Sequence, residues 1–290
     1  MPDAAPFPPP INSRGGVSPT RPELASPGRS GFHPVVPPAD ITVRRAVLAE
    51  ILSMRDAYRR EMNCQIIHDS LHVREGWTIP HLLTVAERVA GYGSVAVAGP
   101  WRERPAVFEF HVEPAFRGRV FELFHAFLRA CGARMIETQS NDFWLTMLLH
   151  ASAYGVMSDA ILFADAGATE HAPAGVSFRM ATTGDKFDIR PEQLPAHGVI
   201  EFEGAVVGRG GVLFHYNAPY GDVYMEVEAA FRRRGFGAFL VQELKRVCRG
   251  LGRVPGARCD PTNIASRQTL LKAGFLPCGH MLVGTVVPDL

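Results

Sequence analysis

The stretch Tyr224-Met-Glu-Val-Glu-Ala-Ala-Phe-Arg-Arg-Arg-Gly-Phe-Gly-Ala-Phe-Leu240 decides how this chain reads. Tyr224 to Val227 alternates as a strand does. Arg232 to Gly237 is a basic turn with two glycines. From Gly237 on, Phe239, Leu240, Leu244 and Val247 recur at helical spacing. A strand that feeds a glycine turn and then a helix N-terminus makes an anion site, because free N–H groups and the positive end of the helix dipole converge there. Gly235 and Gly237 let the backbone approach a ligand where a Cβ would block it. Ordinary turn chemistry is the competing reading of the same glycines.

A second stretch, Asn263-Ile-Ala-Ser-Arg-Gln-Thr-Leu-Leu-Lys-Ala-Gly-Phe275, follows the turn Asp260-Pro-Thr262 and predicts a short helix closed by glycine. Arg232-x-x-Gly235-x-Gly237 and Asn263-x-x-Ser266, with Leu271-Lys272-x-Gly274-Phe275 beyond it, together resemble the GCN5-related N-acetyltransferase (GNAT) family. The resemblance implies that the first motif binds the pyrophosphate of acetyl-CoA through backbone amides and that the second flanks the pantetheine arm. The implied cofactor-binding residues are Val227, Arg232, Arg233, Arg234, Gly235, Phe236, Gly237, Asn263 and Ser266, with acetyl-CoA as cosubstrate and no metal.

At 290 residues the chain has room for two modest domains. A hydrophobic content of 47% and a charged content of 20% describe an ordinary soluble protein. A formal charge of +1 gives no reason to expect nucleic acid or an anionic membrane as partner. Cys64, Cys131, Cys248, Cys259 and Cys278 are scattered, without the spacing of a metal site or a disulfide framework. No apolar run is long enough to span a bilayer, and no basic segment followed by an apolar core marks a secretory signal. The expectation is a cytoplasmic protein.

Residues 1–40 are rich in proline and glycine and are expected to be a disordered tail, either dispensable or a proline-rich peptide ligand. Beyond it, Ile41 to Arg45 predicts a strand and Leu48 to Met62 a helix with Leu48, Ile51, Leu52 and Tyr58 on one stripe. A second helix is expected around Asp69–Trp77. Three strands follow, at His81–Glu87, Gly91–Gly99 and Ala106–Pro114, and then a helix from Phe121 to Cys131.

Val112-Glu-Pro-Ala-Phe-Arg-Gly-Arg-Val-Phe-Glu122 aligns with Val227-Glu-Ala-Ala-Phe-Arg-Arg-Arg-Gly-Phe-Gly237, and Gln139-Ser-Asn141 with Pro261-Thr-Asn263. This is an internal repeat. In the first copy Val120 replaces Gly235 and Glu122 replaces Gly237, so a β-branched side chain and a carboxylate stand where a pyrophosphate needs open backbone. That copy is read as degenerate. The fold class is therefore α/β: two tandem GNAT-like domains, 41–170 and 171–290, each a mixed, mostly antiparallel sheet flanked by helices, after the tail. The link is expected in Ala164–Ala174. Strands are expected at Val176–Met180, His197–Glu203, Ala205–Tyr216 and Asp222–Glu228. The short span from Ala181 to Ala196 leaves no room for the two helices that shape the family's acceptor pocket.

The reaction implied by the resemblance is direct attack of an amine on the acetyl thioester. It needs a phosphate site, a donor for the oxyanion and a base. Alternation puts Asp222, Tyr224, Glu226 and Glu228 on one strand face, against Val223, Met225 and Val227 on the other. A polar face on a central strand implies a cleft, and a solvent-facing sheet edge is the alternative. Glu226 is the first choice for a base acting through water, Asp222 the second, and Tyr224 orients the acceptor. Neighbouring carboxylates are expected to raise one another's pKa. The N–H near Val227 would serve the oxyanion. Where the family often carries a tyrosine to protonate the thiolate, this chain has Leu270, which leaves water, Tyr216 or Tyr220 as donor. His215 and His150 are read as structural, Arg232 to Arg234 as phosphate contacts, and Lys272 as a surface residue. The expected function is N-acetyl transfer to a primary amine of a small molecule or protein in a ternary complex. The alternative is a non-catalytic acyl-CoA-binding or regulatory module. The acceptor site is expected between the two copies.

Overall fold

The computed structural model describes residues 38–185 and 191–288. The expected tail falls almost wholly outside them. The first half runs β1 (Ile41–Arg45), α1 (Leu48–Met62), α2 (His68–His72), β2 (Thr78–Val85), β3 (Arg88–Ala96), β4 (Ala106–Val112), α3 (Val120–Cys131), β5 (Met135–Gln139), α4 (Phe143–Ser152) and β6 (Ala153–Asp165). The second half repeats the order as β7 (Val176–Met180), β8 (His197–Phe202), β9 (Ala205–Leu213), β10 (Tyr220–Val227), α5 (Phe236–Gly250), β11 (Val254–Cys259), α6 (Ile264–Lys272) and β12 (Phe275–Val286). Among the described residues only the counterparts of α1 and α2 are missing. Among the described residues a single 3-10 turn, Pro191–Ala196, stands in their place.

The twelve strands of the described residues all join one sheet, in the order β1-β2-β3-β4-β5-β12-β6-β11-β10-β9-β8-β7. Pairing is antiparallel except at β4–β5 and β10–β11. The centre of the sheet is an exchange. The last strand of the chain, β12, pairs with β5 of the first half, while β6 of the first half pairs with β11 of the second. The two exchanged strands also pair with each other along most of their length. The cores follow the exchange. Ile161 and Phe163 of β6 are buried with Val223, Leu240, Leu244 and Phe275, whereas Leu282 and Val286 of β12 pack on the core formed by Leu83, Phe110, Phe124 and Leu149. A link does follow β6, but β6 itself runs through Asp165 and is a strand of the second half's sheet.

Two expected details differ. The second helix is α2 at His68–His72 rather than Asp69–Trp77, since Gly76 at φ +71° turns the chain toward β2. On α1 the buried face is Ile51, Met54, Arg55 and Tyr58, and Leu52 is exposed. An arginine occupies the apolar stripe because a buried carboxylate, Glu109, faces it across the core.

Candidate active site

The parallel strands β10 and β11 pair only at Tyr220↔Val254, Gly221↔Pro255 and Asp222↔Gly256. Beyond Asp222 they part, and the V they form is the candidate site. Alternation fixes its two sides. Val223, Val227, Ala257 and Cys259 are buried with Leu240 and Leu244 of α5. Asp222, Tyr224, Glu226, Gly256 and Arg258 therefore face the opposite side of the sheet.

At the end of β10 the chain makes one 3-10 turn, Ala229–Phe231, and then departs from helix. Arg233 adopts φ +63° and Gly235 φ +85°, both left-handed, before α5 begins at Phe236. Alternating hands of this kind turn successive N–H groups into one concavity, and the amides of the first turn of α5 add to it. No acidic residue occupies that first turn. Gly235 is required by its φ, while a Cβ on Gly237 would come within 3.1 Å of Thr269 Cγ2 on α6.

The three arginines divide their work. Arg232 Nε donates to the carbonyl of Val227 at 2.9 Å and so pins the turn to the strand. The Arg234 guanidinium lies over the rings of Phe202 at 4.4 Å and Phe236 at 5.0 Å, which commits it to packing rather than to a phosphate. Arg233 is exposed and has no hydrogen-bond or ion-pair partner among the described residues. Asn263 caps α6, its side-chain oxygen accepting from the Ser266 N–H at 2.9 Å. Leu270 is buried in the core under α5.

On the polar face the predicted residues sit in different environments. Glu226 is exposed at the open end of the V and Tyr224 is half-buried beside the His197 ring, its phenol pushed up to about 12 by burial. Asp222 is buried. Its Oδ2 is 2.9 Å from His215 Nε2 and 3.3 Å from Arg258 Nε. Its partners are thus cationic or neutral groups, not a second carboxylate as the spacing suggested. His215 and Arg258 belong to the site, though the sequence reading set His215 aside and passed over Arg258. The usable signal for Arg258 was a lone charge in the otherwise apolar strand Val254-Pro-Gly-Ala-Arg-Cys259.

A segment of the first half reaches the second. The segment after α1 lies over the closed end of the V. The Asn217 N–H donates to the Ile66 carbonyl at 2.6 Å, and the Asp69 N–H donates to Asn217 Oδ1 at 2.9 Å. The Tyr220 hydroxyl donates to the Asn63 carbonyl at 3.0 Å, and Gln65 Nε2 donates to the Phe163 carbonyl at 2.7 Å.

The first half has its own V, since β4 and β5 pair only at Ala106↔Met135 and Val107↔Ile136. Its turn is built differently. A 3-10 helix, Pro114–Arg119, runs straight into α3, with Val120 in the right-handed region where Gly235 is left-handed. Glu122 in the first turn of α3 pairs with Arg119, which also holds Asp40. Ion pairs gather on β4 beside this V. Glu109 is fully buried and accepts from Arg55 Nε at 3.1 Å, and it meets His68 Nδ1 and His72 Nε2 at 2.9 Å each. His111, on the same strand, is also buried, beside Tyr58 of α1 and Tyr92 of β3.

Residues 169–275 match the model of the Acetyltransferase (GNAT) family. Solved structures share the fold over most of the chain. A GNAT-family acetyltransferase from Colwellia psychrerythraea superimposes with a TM-score of 0.67 at 12% identity, over 85% of this chain and 100% of that one. A GCN5-related N-acetyltransferase from Sphaerobacter thermophilus gives 0.59 at 16%, over 88% and 98%. A tandem GNAT protein from the clavulanic acid biosynthesis pathway gives 0.56 at 14%, over 86% and 99%. No curated protein matches the sequence. The left-handed turn and the family match both fall in the second half: residues 169–275 are the part of this chain that is similar to the acetyltransferase (GNAT) family, within a fold like that of the tandem GNAT protein.

Proposed function

We propose that this protein is an acetyl-CoA-dependent N-acetyltransferase that acylates a primary amine by direct attack in a ternary complex. The observation that carries the reading is the parting of β10 and β11 beyond Asp222, directly ahead of a turn with two left-handed residues and a helix N-terminus free of acidic groups. The turn from Arg233 to Gly237 holds the pyrophosphate on backbone amides, with Arg233 the one side chain of the three arginines left to assist. Asn263 and Ser266 at the start of α6 flank the pantetheine arm. The backbone N–H near Val227 receives the thioester oxygen as it gains charge.

The amine approaches from the Asp222–Tyr224–Glu226 face. Glu226 accepts its proton through water, Tyr224 orients it, and Asp222, held by His215 and Arg258, shapes the floor. The leaving thiolate takes its proton from water, since Leu270 offers none and Tyr220 is bonded to Asn63. This chemistry requires no metal. A cytoplasmic location is part of the proposal, in keeping with five free thiols; no nucleic-acid or membrane partner is proposed.

The test is a thiol-release assay with acetyl-CoA over a panel of amines, run beside calorimetry of acetyl-CoA binding. Turnover with at least one amine supports transfer. Tight binding without turnover over the panel would leave a non-catalytic acyl-CoA-binding module instead.

A further inference from the structure

We propose that Arg258 is an acceptor-binding residue and that the acceptor carries a carboxylate as well as its amine. The proposal rests on the transfer reading above and names the substrate class for that site.

Arg258 lies two residues beyond the last pair that joins β10 to β11, on the sheet face it shares with Asp222, Tyr224 and Glu226. It therefore stands on one wall of the V while the predicted catalytic face forms the other. Its side chain is 38% exposed, and its one ion pair is Nε to Asp222 Oδ2 at 3.3 Å, with the charges of Glu137 and Asp159 acting on it from farther away. A guanidinium has five N–H donors arranged as a planar fork. Other arginines of this protein use that fork fully. Arg55, 3% exposed, spends Nε on Glu109 and Nη2 on Asp69. Arg179 spends Nε on Glu201 and both terminal nitrogens on Asp185. Arg258 alone among these three turns its terminal nitrogens to no carboxylate among the described residues. Asp222 does not depend on it, having His215 at 2.9 Å.

A second donor lies beside it. Tyr216 is 4% exposed, packs edge-on against the His215 ring at 5.0 Å, and its hydroxyl has no hydrogen-bond partner among the described residues. Burial and the nearby Asp222 charge push this phenol up, while Arg258 acts in the opposite sense, so it remains a neutral donor. The two terminal nitrogens of a guanidinium, with a buried hydroxyl nearby, recognise a carboxylate. The carboxylates of β10 suit the ammonium end of the same molecule. An amino acid supplies both ends, and a plain alkylamine leaves Arg258 unanswered.

The experiment uses the full chain as wild type, Arg258→Gln and Arg258→Lys. Each is titrated calorimetrically, in the presence of saturating CoA, with α- and ω-amino acids and with the matched carboxamides. The same pairs are assayed for thiol release from acetyl-CoA. Far-UV circular dichroism and acetyl-CoA affinity verify that each variant is folded. For wild type the expected preference for the free carboxylate over its carboxamide is about 10- to 100-fold in Kd and in kcat/KM. In Arg258→Gln that ratio falls to about one, and Arg258→Lys recovers part of it. The proposal is overturned if no amino acid binds the CoA complex, or if Arg258→Gln keeps the wild-type ratio. The two readings separate cleanly. Binding that depends on Arg258 without thiol release keeps the carboxylate site and sinks transfer. Thiol release that ignores the carboxylate keeps transfer and sinks the site.

Discussion

Arg232 Nε donates to the carbonyl of Val227, and one repeat earlier Arg117 Nε donates in the same way to the carbonyl of Val112. The residues that follow Val227 and Val112 share φ −55° and ψ 140°. The two halves thus make the same turn off the same strand. They diverge from Arg232 on, which is extended where Arg117 continues the 3-10 helix, and at Gly235, which is left-handed where Val120 is helical.

That divergence sets the first prediction. Gly235→Val places a β-branched residue at φ +85°, and Gly237→Glu drives a Cβ toward Thr269 while adding a carboxylate to the anion site. Each should weaken acetyl-CoA binding by about 10-fold or more, since a hydrogen bond to a charged group is worth roughly 1.5–3 kcal/mol. Calorimetry measures it, and unchanged affinity in both variants would place the phosphates elsewhere.

Catalysis is tested on the polar face. Glu226→Gln should lower kcat by about 10²–10⁴-fold and leave acetyl-CoA affinity near wild type. Asp222→Asn should act differently, because its carboxylate holds His215 and Arg258. Its loss should raise acceptor KM together with a fall in kcat. Full activity in Glu226→Gln with a collapse in Asp222→Asn would move the base to the Asp222–His215 pair.

The ion cluster in the first half should matter for stability. Burial alone would raise the Glu109 carboxyl, but His68, then His72 and Arg55, offset it and hold the group well below the usual range. Glu109→Gln leaves Arg55 buried and short of a counter-charge, at a cost of about 3–5 kcal/mol. Urea denaturation measures this, and a loss under about 1 kcal/mol would show that the cluster relaxes around the change.

Acid should destabilise the protein. Burial lowers the pKa of His72, His81, His111, His125 and His197. Unfolded histidines take up protons near pH 6.5, so below that value the unfolded state binds more protons than the folded one, and stability falls as pH drops. For Glu109 the shift has the other origin and the same direction: its contribution is present above the unfolded carboxylate value of about 4.3 and is lost below it. The urea midpoint should fall steadily from pH 7 to pH 4, and a flat profile would contradict the buried neutral histidines.

How much of this could be read in the sequence follows from the range of the interactions. The turn at Arg232–Gly237, the helix start at Phe236 and the alternation of β10 are local, and their residue types announce them. One partner of Asp222 is not local: Arg258 reaches it across a parallel pair that no short-range pattern encodes. Arg55 reads as a break in an amphipathic stripe until Glu109 is placed opposite. The exchange of β6 and β12 is the least legible feature. Met281 pairs with Gln139 on one side and Ala160 on the other, and either pairing fits a plain apolar strand.

The exchange also fixes the last prediction. A fragment beginning at residue 173 keeps the turn, α5 and the whole Asp222 face, but it loses β6. Without β6 the edge of β11 from Gly256 to Cys259 is unpaired, β12 has no neighbour on either side, and Ile161 and Phe163 are withdrawn from the core beneath α5. The two side chains alone account for about 3–6 kcal/mol of burial, comparable with the whole stability of a domain this size. The fragment should therefore lack a cooperative thermal transition and bind no acetyl-CoA. Starting at residue 153 restores β6 and both core residues, so this longer fragment should fold and bind acetyl-CoA with reduced affinity. It still lacks Asn63 to Asp69, which close the V through Asn217 and Tyr220. Acetyl transfer should stay absent until that segment is present. Circular dichroism, calorimetry and thiol release on the two fragments decide the matter. Full-length kcat/KM in the 153–290 fragment would show that the first half adds nothing to the acceptor site, and a stable, CoA-binding 173–290 fragment would show that β6 is dispensable.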